Sequence, residues 1–109
     1  MNKIKILATP QYFSSRNFRK SKIYKEFKNF NLIIENGPIT NKKKLKKILQ
    51  GKDIFIAGSE EVTADIISKN NTLKGIIRFG TSLNNLDLNA CKKKKIKVRK
   101  LPKNINSFS

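Results

Sequence analysis

An α/β domain with a five-stranded parallel sheet between layers of helix follows from three features of this 109-residue chain. Five short apolar runs recur along it, the segments between them carry helical periodicity rather than hairpin turns, and the length suits one hydrophobic core but not two. Strands joined by helical segments of about 8 to 15 residues need right-handed crossovers, which make neighbouring strands parallel.

The first run, Ile4, Ile6, Leu7 and Ala8, is a strand halted by Thr9-Pro10, because proline removes a backbone donor and turns the chain. Tyr12 to Phe30 is polar with interspersed aromatics. From Ser21 onward Ile23, Phe27 and Phe30 fall on one helical face, and this aromatic stripe reads as core rather than as a ligand box. Leu32 to Ile34 forms a second strand, closed by Asn36-Gly37-Pro38. Thr40 is placed to cap the next helix, whose Leu45, Ile48 and Leu49 point inward while its lysines face water; Gly51 ends it. Asp53 to Gly58 reads as a buried parallel strand, and Ser59 to Ser68 as a helix with Val62, Ile66 and Ile67 turned inward. Leu73 to Phe79 is the fourth strand, Asp87 to Lys95 a short helix capped by Asp87, and Ile96 to Leu101 the fifth strand. This alternation is that of a flavodoxin-like three-layer domain, whose ligands bind at the carboxyl ends of the strands.

The net charge of +18 raises the question of a nucleic-acid or other anionic partner. Lys, Asn and Ile number 21, 13 and 15, and all three have A- and T-rich codons, so much of the charge reads as compositional drift on solvated faces. Lysines cluster at Lys42 to Lys47 and at Lys92 to Lys95, yet each cluster lies on a segment with its own helical pattern and neither is joined by an RNP-like aromatic motif or zinc-finger spacing. One cysteine, Cys91, excludes an internal disulfide and cannot build a metal site alone; within a Leu-Asn-Ala-Cys run it reads as a small packing residue. With no histidine to activate it, Cys91 is a poor candidate for a nucleophile. No signal-peptide pattern and no membrane-length apolar run is seen, so the cytoplasm is the expected location.

Chemistry is concentrated where the fourth strand ends, at Arg78-Phe79-Gly80-Thr81-Ser82-Leu83-Asn84-Asn85-Leu86-Asp87. A tight loop of small residues before a helix can turn several backbone N–H groups toward one anion, and a carboxylate is satisfied by two or three of them. Gly80 and Ser82 are small enough, and Arg78 adds a guanidinium; a plain strand-to-helix turn with a surface arginine would look the same.

The whole stretch from Leu73 to Pro102 resembles the substrate-domain signature of the D-isomer-specific 2-hydroxyacid dehydrogenases, and their phosphoglycerate dehydrogenase branch in particular. The similarity runs through Leu73, Lys74, Ile76, Arg78, Gly80, Asn85, Asp87, Leu88, Ala90, Lys92, Ile96, Val98 and Pro102 at matching spacing. Gly51 to Ala64 and Thr9 to Phe13 resemble the same family's third-strand and first-strand exits, so the resemblance covers nearly the whole chain. It implies that main-chain amides of Gly80, Thr81 and Ser82, with Arg78, hold the carboxylate of a small 2-hydroxyacid, while Asn85 and Asp87 brace the loop and cap its helix. Against the family pattern, Ser82 replaces a glycine, Asn84 an aspartate, Lys95 the helix-ending glycine, and Lys100-Leu101-Pro102 an Asn-Thr-Pro segment.

The family's arginine, carboxylate and histidine of catalysis belong to its NAD-binding domain, so no catalytic, cofactor-binding or metal-binding residue is expected here. The five glycines, Gly37, Gly51, Gly58, Gly75 and Gly80, never approach GxGxxG spacing. The expectation is a substrate-binding domain over residues 1–102, with 103–109 starting a crossover to an absent NAD-binding domain. Such a piece would be truncated or half of a split enzyme, inactive alone, with NAD used only by the complete enzyme and a separate NAD-binding chain as a possible partner. A second reading keeps a degenerate dehydrogenase fold as a basic module for RNA or an acidic partner; a third is a non-functional remnant.

Overall fold

Each apolar run forms a strand: β1 Lys5–Ala8, β2 Asn31–Ile34, β3 Ile54–Ala57, β4 Gly75–Phe79 and β5 Lys97–Leu101. In this computed structural model, which describes residues 3–80 and 82–101, the strands are all parallel in the order β2-β1-β3-β4-β5. That is the flavodoxin-like order. Thr81, Pro102 and the 103–109 crossover lie outside the described residues.

Alternation along the strands sends Leu7, Phe55, Ala57 and Ile76 to one face and Ile6, Ala8 and Ile56 to the other, so the central strands are apolar on both sides, as a doubly covered parallel sheet requires. Helices α3 (Lys42–Leu49), α4 (Ala64–Ser68) and α5 (Leu88–Lys93) contribute Leu45, Leu49, Ile66, Ile67 and Cys91 to the first core. The second core is aromatic, built on Phe13 and Phe18, whose rings meet edge to face at 4.7 Å.

The helical face read from Ser21 onward is α2 (Lys22–Glu26) followed by a 3-10 turn at Phe27–Asn29, and before it lie a helix that the sequence reading left out, α1 (Arg16–Lys20), and a 3-10 turn at Gln11–Ser14. Ser15 and Ser21 are extended, and each hydroxyl accepts from the backbone N–H three residues on, so each starts a new helix and ends the previous turn. The cap of α3 is Asn41, not Thr40: its Oδ1 accepts from Lys44 N at 3.0 Å. The helix read from Ser59 begins only at Ala64, capped by Thr63. Residues 59–63 are claimed by other contacts: Val62 bridges Leu86 in parallel, bonding Asn85 O and Asp87 N, and the Glu60 side chain turns inward.

At the far edge of the sheet, Asn70 is buried; its amide donates to Leu49 O at 2.9 Å and its Oδ1 accepts from Thr72 N and Leu73 N. Lys95 closes α5 with φ 58°, and Ile96 N reaches back to Cys91 O at 2.8 Å while Lys95 N bonds Lys92 O. This is a Schellman ending with lysine at the position that glycine favours.

Candidate functional site at the carboxyl edge of the sheet

Because every strand runs the same way, their carboxyl ends share one edge, and the chain leaves β1 and β3 in opposite directions along it. Crevices form at such a switch point. Here a cleft of about 360 Å³ opens between the β1 exit (Thr9 to Tyr12), the Gly37-Pro38 turn, the β3 exit (Gly58 and Ser59) and the end of β4 (Arg78 and Phe79). The Tyr12 and Phe79 rings stack in one wall, 5.9 Å apart and 12° from parallel. Among the described residues, Arg78 is the one charged side chain that lines it.

Arg78 is held from behind. Its Nε donates to Asn85 Oδ1 at 2.9 Å and its Nη1 to Phe79 O, which leaves Nη2 without a hydrogen bond to the described residues. Asn85 in turn donates through Nδ2 to Glu60 O at 2.7 Å and Gly58 O at 3.2 Å, so one side chain ties the β4 arginine to the β3 exit. A guanidinium whose fork is fixed loses little further freedom on meeting a carboxylate.

Beneath the cleft, Glu60 is 2% exposed. Oε1 accepts from Thr9 Oγ1 and Gly58 N, both at 2.8 Å, and Oε2 accepts from Ile39 N at 2.8 Å. Gly37 packs directly on this group: a Cβ there would sit 2.6 Å from Thr9 O and 2.7 Å from Glu60 Oε2, so only glycine allows the approach.

The residues singled out from sequence separate into two groups. Arg78 lines the cleft, Asn85 Oδ1 accepts from its Nε, and Asp87 caps α5 by accepting from Ala90 N at 3.0 Å. Gly80 is buried and borders the Arg78 guanidinium, which a Cβ at that position would overlap. The Ser82 hydroxyl accepts from Asn84 N at 3.1 Å within its own loop. Neither Gly80 nor Ser82 lines the cleft, and Thr81 lies outside the described residues. Sequence reading missed Thr9, Tyr12 and Glu60; the available signal was that Thr9 and Glu60 both lie just past the ends of strands that a flavodoxin-like order makes neighbours.

A larger and more open depression, about 520 Å³, lies beside α4 and α5, but its charged lining is Glu61 and Asp87, the wrong sign for an acid. The shifted titrations also lie away from the cleft. Hydrogen bonds from Lys46 and Lys69 hold Asp65 below its ordinary range, and burial, with the Asp87 charge second, pushes the Cys91 thiol up. Among the described residues no three His, Cys, Asp or Glu side chains converge as a metal site would need, and no helix is long and apolar enough to cross a membrane.

The sequence profile described as D-isomer specific 2-hydroxyacid dehydrogenase, catalytic domain, matches residues 6–107. The chain belongs to that family. It is 42% identical over 62 residues to a hydroxypyruvate reductase of Thermotoga maritima, a match covering 56% of this chain and 20% of that protein. Its fold superposes on the NAD+-bound 3-phosphoglycerate dehydrogenase of Entamoeba histolytica with a TM-score of 0.75 at 22% identity, covering 90% of this chain and 32% of that one. For the D-lactate dehydrogenase of Escherichia coli the TM-score is 0.72 at 19% identity, covering 90% and 31%. This 2-hydroxyacid dehydrogenase domain thus spans about a fifth of the curated relative, at 20%, and about a third of the solved structures, at 32% and 31%.

The family's dinucleotide does not fit the described residues. Gly51 lies at the opposite edge of the sheet and Gly75 inside β4, which leaves Gly37, Gly58 and Gly80 in three separate loops. The β1 exit is Thr9-Pro10-Gln11 running into a 3-10 turn, where a pyrophosphate would need a glycine turn opening a helix.

Proposed function

We propose that this chain is the substrate-binding domain of a 2-hydroxyacid dehydrogenase, and that its carboxyl-edge cleft holds the carboxylate of a small 2-hydroxyacid or 2-oxoacid. The observation that carries the reading is the placement of Arg78, the one charged side chain among the described residues lining a cleft at the β1/β3 switch point. We assign the carboxylate donors to the main-chain amides of Gly80, Thr81 and Ser82, in the loop that leaves β4 next to the cleft lining, with Asn85 and Asp87 in support; membership of the family supports this use of the loop. Nη2 of Arg78 supplies charge to the same anion.

The hydride acceptor of the complete enzyme is NAD, which we assign to a separate dinucleotide-binding domain along with the arginine, carboxylate and histidine of catalysis. Residues 1–102 form the substrate domain in this reading, and 103–109 lead toward the other, whether it lies in the same polypeptide or in a partner chain. The role of the 109 residues is then to bind and orient, and they carry out no oxidation by themselves.

Titration of the 15N-labelled chain with D-glycerate and with hydroxypyruvate tests this. Amide shifts are expected at Gly80 and Ser82, with movement of the Arg78 Nε resonance. Replacing Arg78→Ala should weaken binding by about ten- to a hundredfold, the loss of one charged hydrogen-bond partner. Shifts spread over the lysine surfaces instead, or an unaltered affinity in the variant, would overturn the assignment. NAD-dependent turnover by the purified chain would overturn the division of labour.

A further inference from the structure

We propose that Glu60 is the positioning residue of this cleft, setting the spacing of three strand-exit loops so that a carboxylate meets a preformed site; the ligand part rests on the function proposed above. Its carboxylate takes donors from three different connections: Thr9 after β1, Ile39 after β2 and Gly58 after β3. It forms no ion pair with a described residue, so these donors alone offset the cost of burying the group.

The tie extends to the ligand side. Gly37 N donates to Thr9 O at 3.1 Å, which presses the Gly37-Pro38 wall onto Thr9 and the Glu60 carboxylate. The Glu60 carbonyl accepts the Asn85 amide that restrains Arg78. A single residue therefore joins three loops through its side chain and the arginine through its backbone. If Glu60 merely secured the fold, its loss would loosen the molecule everywhere; as a positioning residue it governs one edge. Asn70 is the natural control, equally buried and bonded but at the amino edge.

Glu60→Gln and Asn70→Ala, made in the full chain, separate these roles. A glutamine accepts through one oxygen only and must present N–H groups to a neighbouring donor. Amide hydrogen exchange at Gly37, Ile39 and Gly58 is expected to quicken by about tenfold or more in Glu60→Gln, with Thr72, Leu73 and the central strands unchanged; Asn70→Ala should show the reverse. Affinity for D-glycerate should fall about tenfold or more in Glu60→Gln and stay within about twofold in Asn70→Ala. Should the glutamine variant not fold, Glu60→Asp, shorter by one methylene with both oxygens kept, is expected to show the same local pattern. Faster exchange throughout the molecule, or none at the three loops, overturns the positioning role. Normal affinity in Glu60→Gln also overturns it while leaving the proposed function intact. A wild-type chain that binds no hydroxyacid overturns the proposed function, and the exchange pattern then still decides whether Glu60 sets the loops.

Discussion

Single side chains at the cleft edge show how one requirement conceals another. Gly80 was legible as a residue that must be small, but the described contact behind that need is the Arg78 guanidinium, which occupies the space a Cβ would take. Cys91 was legible as packing, from its place in an apolar helical run, and it is 1% exposed. Burial raises its thiol pKa, so the folded chain holds the protonated form to higher pH than the unfolded chain does. The thiol's contribution to stability is therefore full below its ordinary pKa and is lost as pH rises through the folded one. Native protein at about pH 8 is accordingly expected to resist iodoacetamide, while urea-unfolded protein reacts at the rate of a free cysteine. Mass spectrometry of the alkylated chain measures both, and equal rates would contradict the burial.

Among the elements, α5 and the strands were readable because period and punctuation agreed, and α3 was readable from its period although its cap is Asn41, one residue after Thr40. Asp87 stood at a cap position before α5 and caps it. The N-terminal span was not readable as two helices, since Ser15 and Ser21 act only when the backbone there is extended, which packing of Phe13 and Phe18 against the sheet decides. Residues 59–63 failed as a helix for a similar reason: hydrogen bonds to other loops outcompete a helical turn. The Lys95 departure was legible, and its conformation follows, with φ 58° where a Cβ costs about 1 kcal/mol. Lys95→Gly is expected to stabilise the chain by about 0.5 kcal/mol, since glycine's greater freedom when unfolded offsets part of the relieved strain. Urea denaturation measures it, and a destabilised variant would mean that the lysine side chain contributes more than the strain it bears.

For the whole molecule, the alternation of apolar runs and helical segments was enough to give the flavodoxin-like sheet, because parallel strands leave few ways to connect. The brace beneath the cleft was beyond reach: Glu60 lies 51 positions from Thr9 and 21 from Ile39, and pairings at that range depend on strand order and register. Among the described residues no lysine lines the cleft; Lys42 pairs with Glu61, and Lys46 and Lys69 with Asp65. Seven acidic residues cannot balance 25 basic ones, so a net charge of +18 opposes compaction. Raising NaCl from about 0.05 to 0.5 M is expected to raise the melting temperature as that repulsion is screened, with the exposed pairs losing less than the whole gains. Thermal melts across the series test it; a falling temperature would show that the pairs dominate.

The Tyr12–Phe79 stack gives the cleft an optical property of its own. The chain has two tyrosines and no tryptophan, so its near-ultraviolet emission comes from Tyr12 in the cleft wall and Tyr24 on α2. With Tyr24 replaced by phenylalanine, fluorescence would come from the ring beside Arg78 alone, and occupancy of the cleft could be followed without attaching any label.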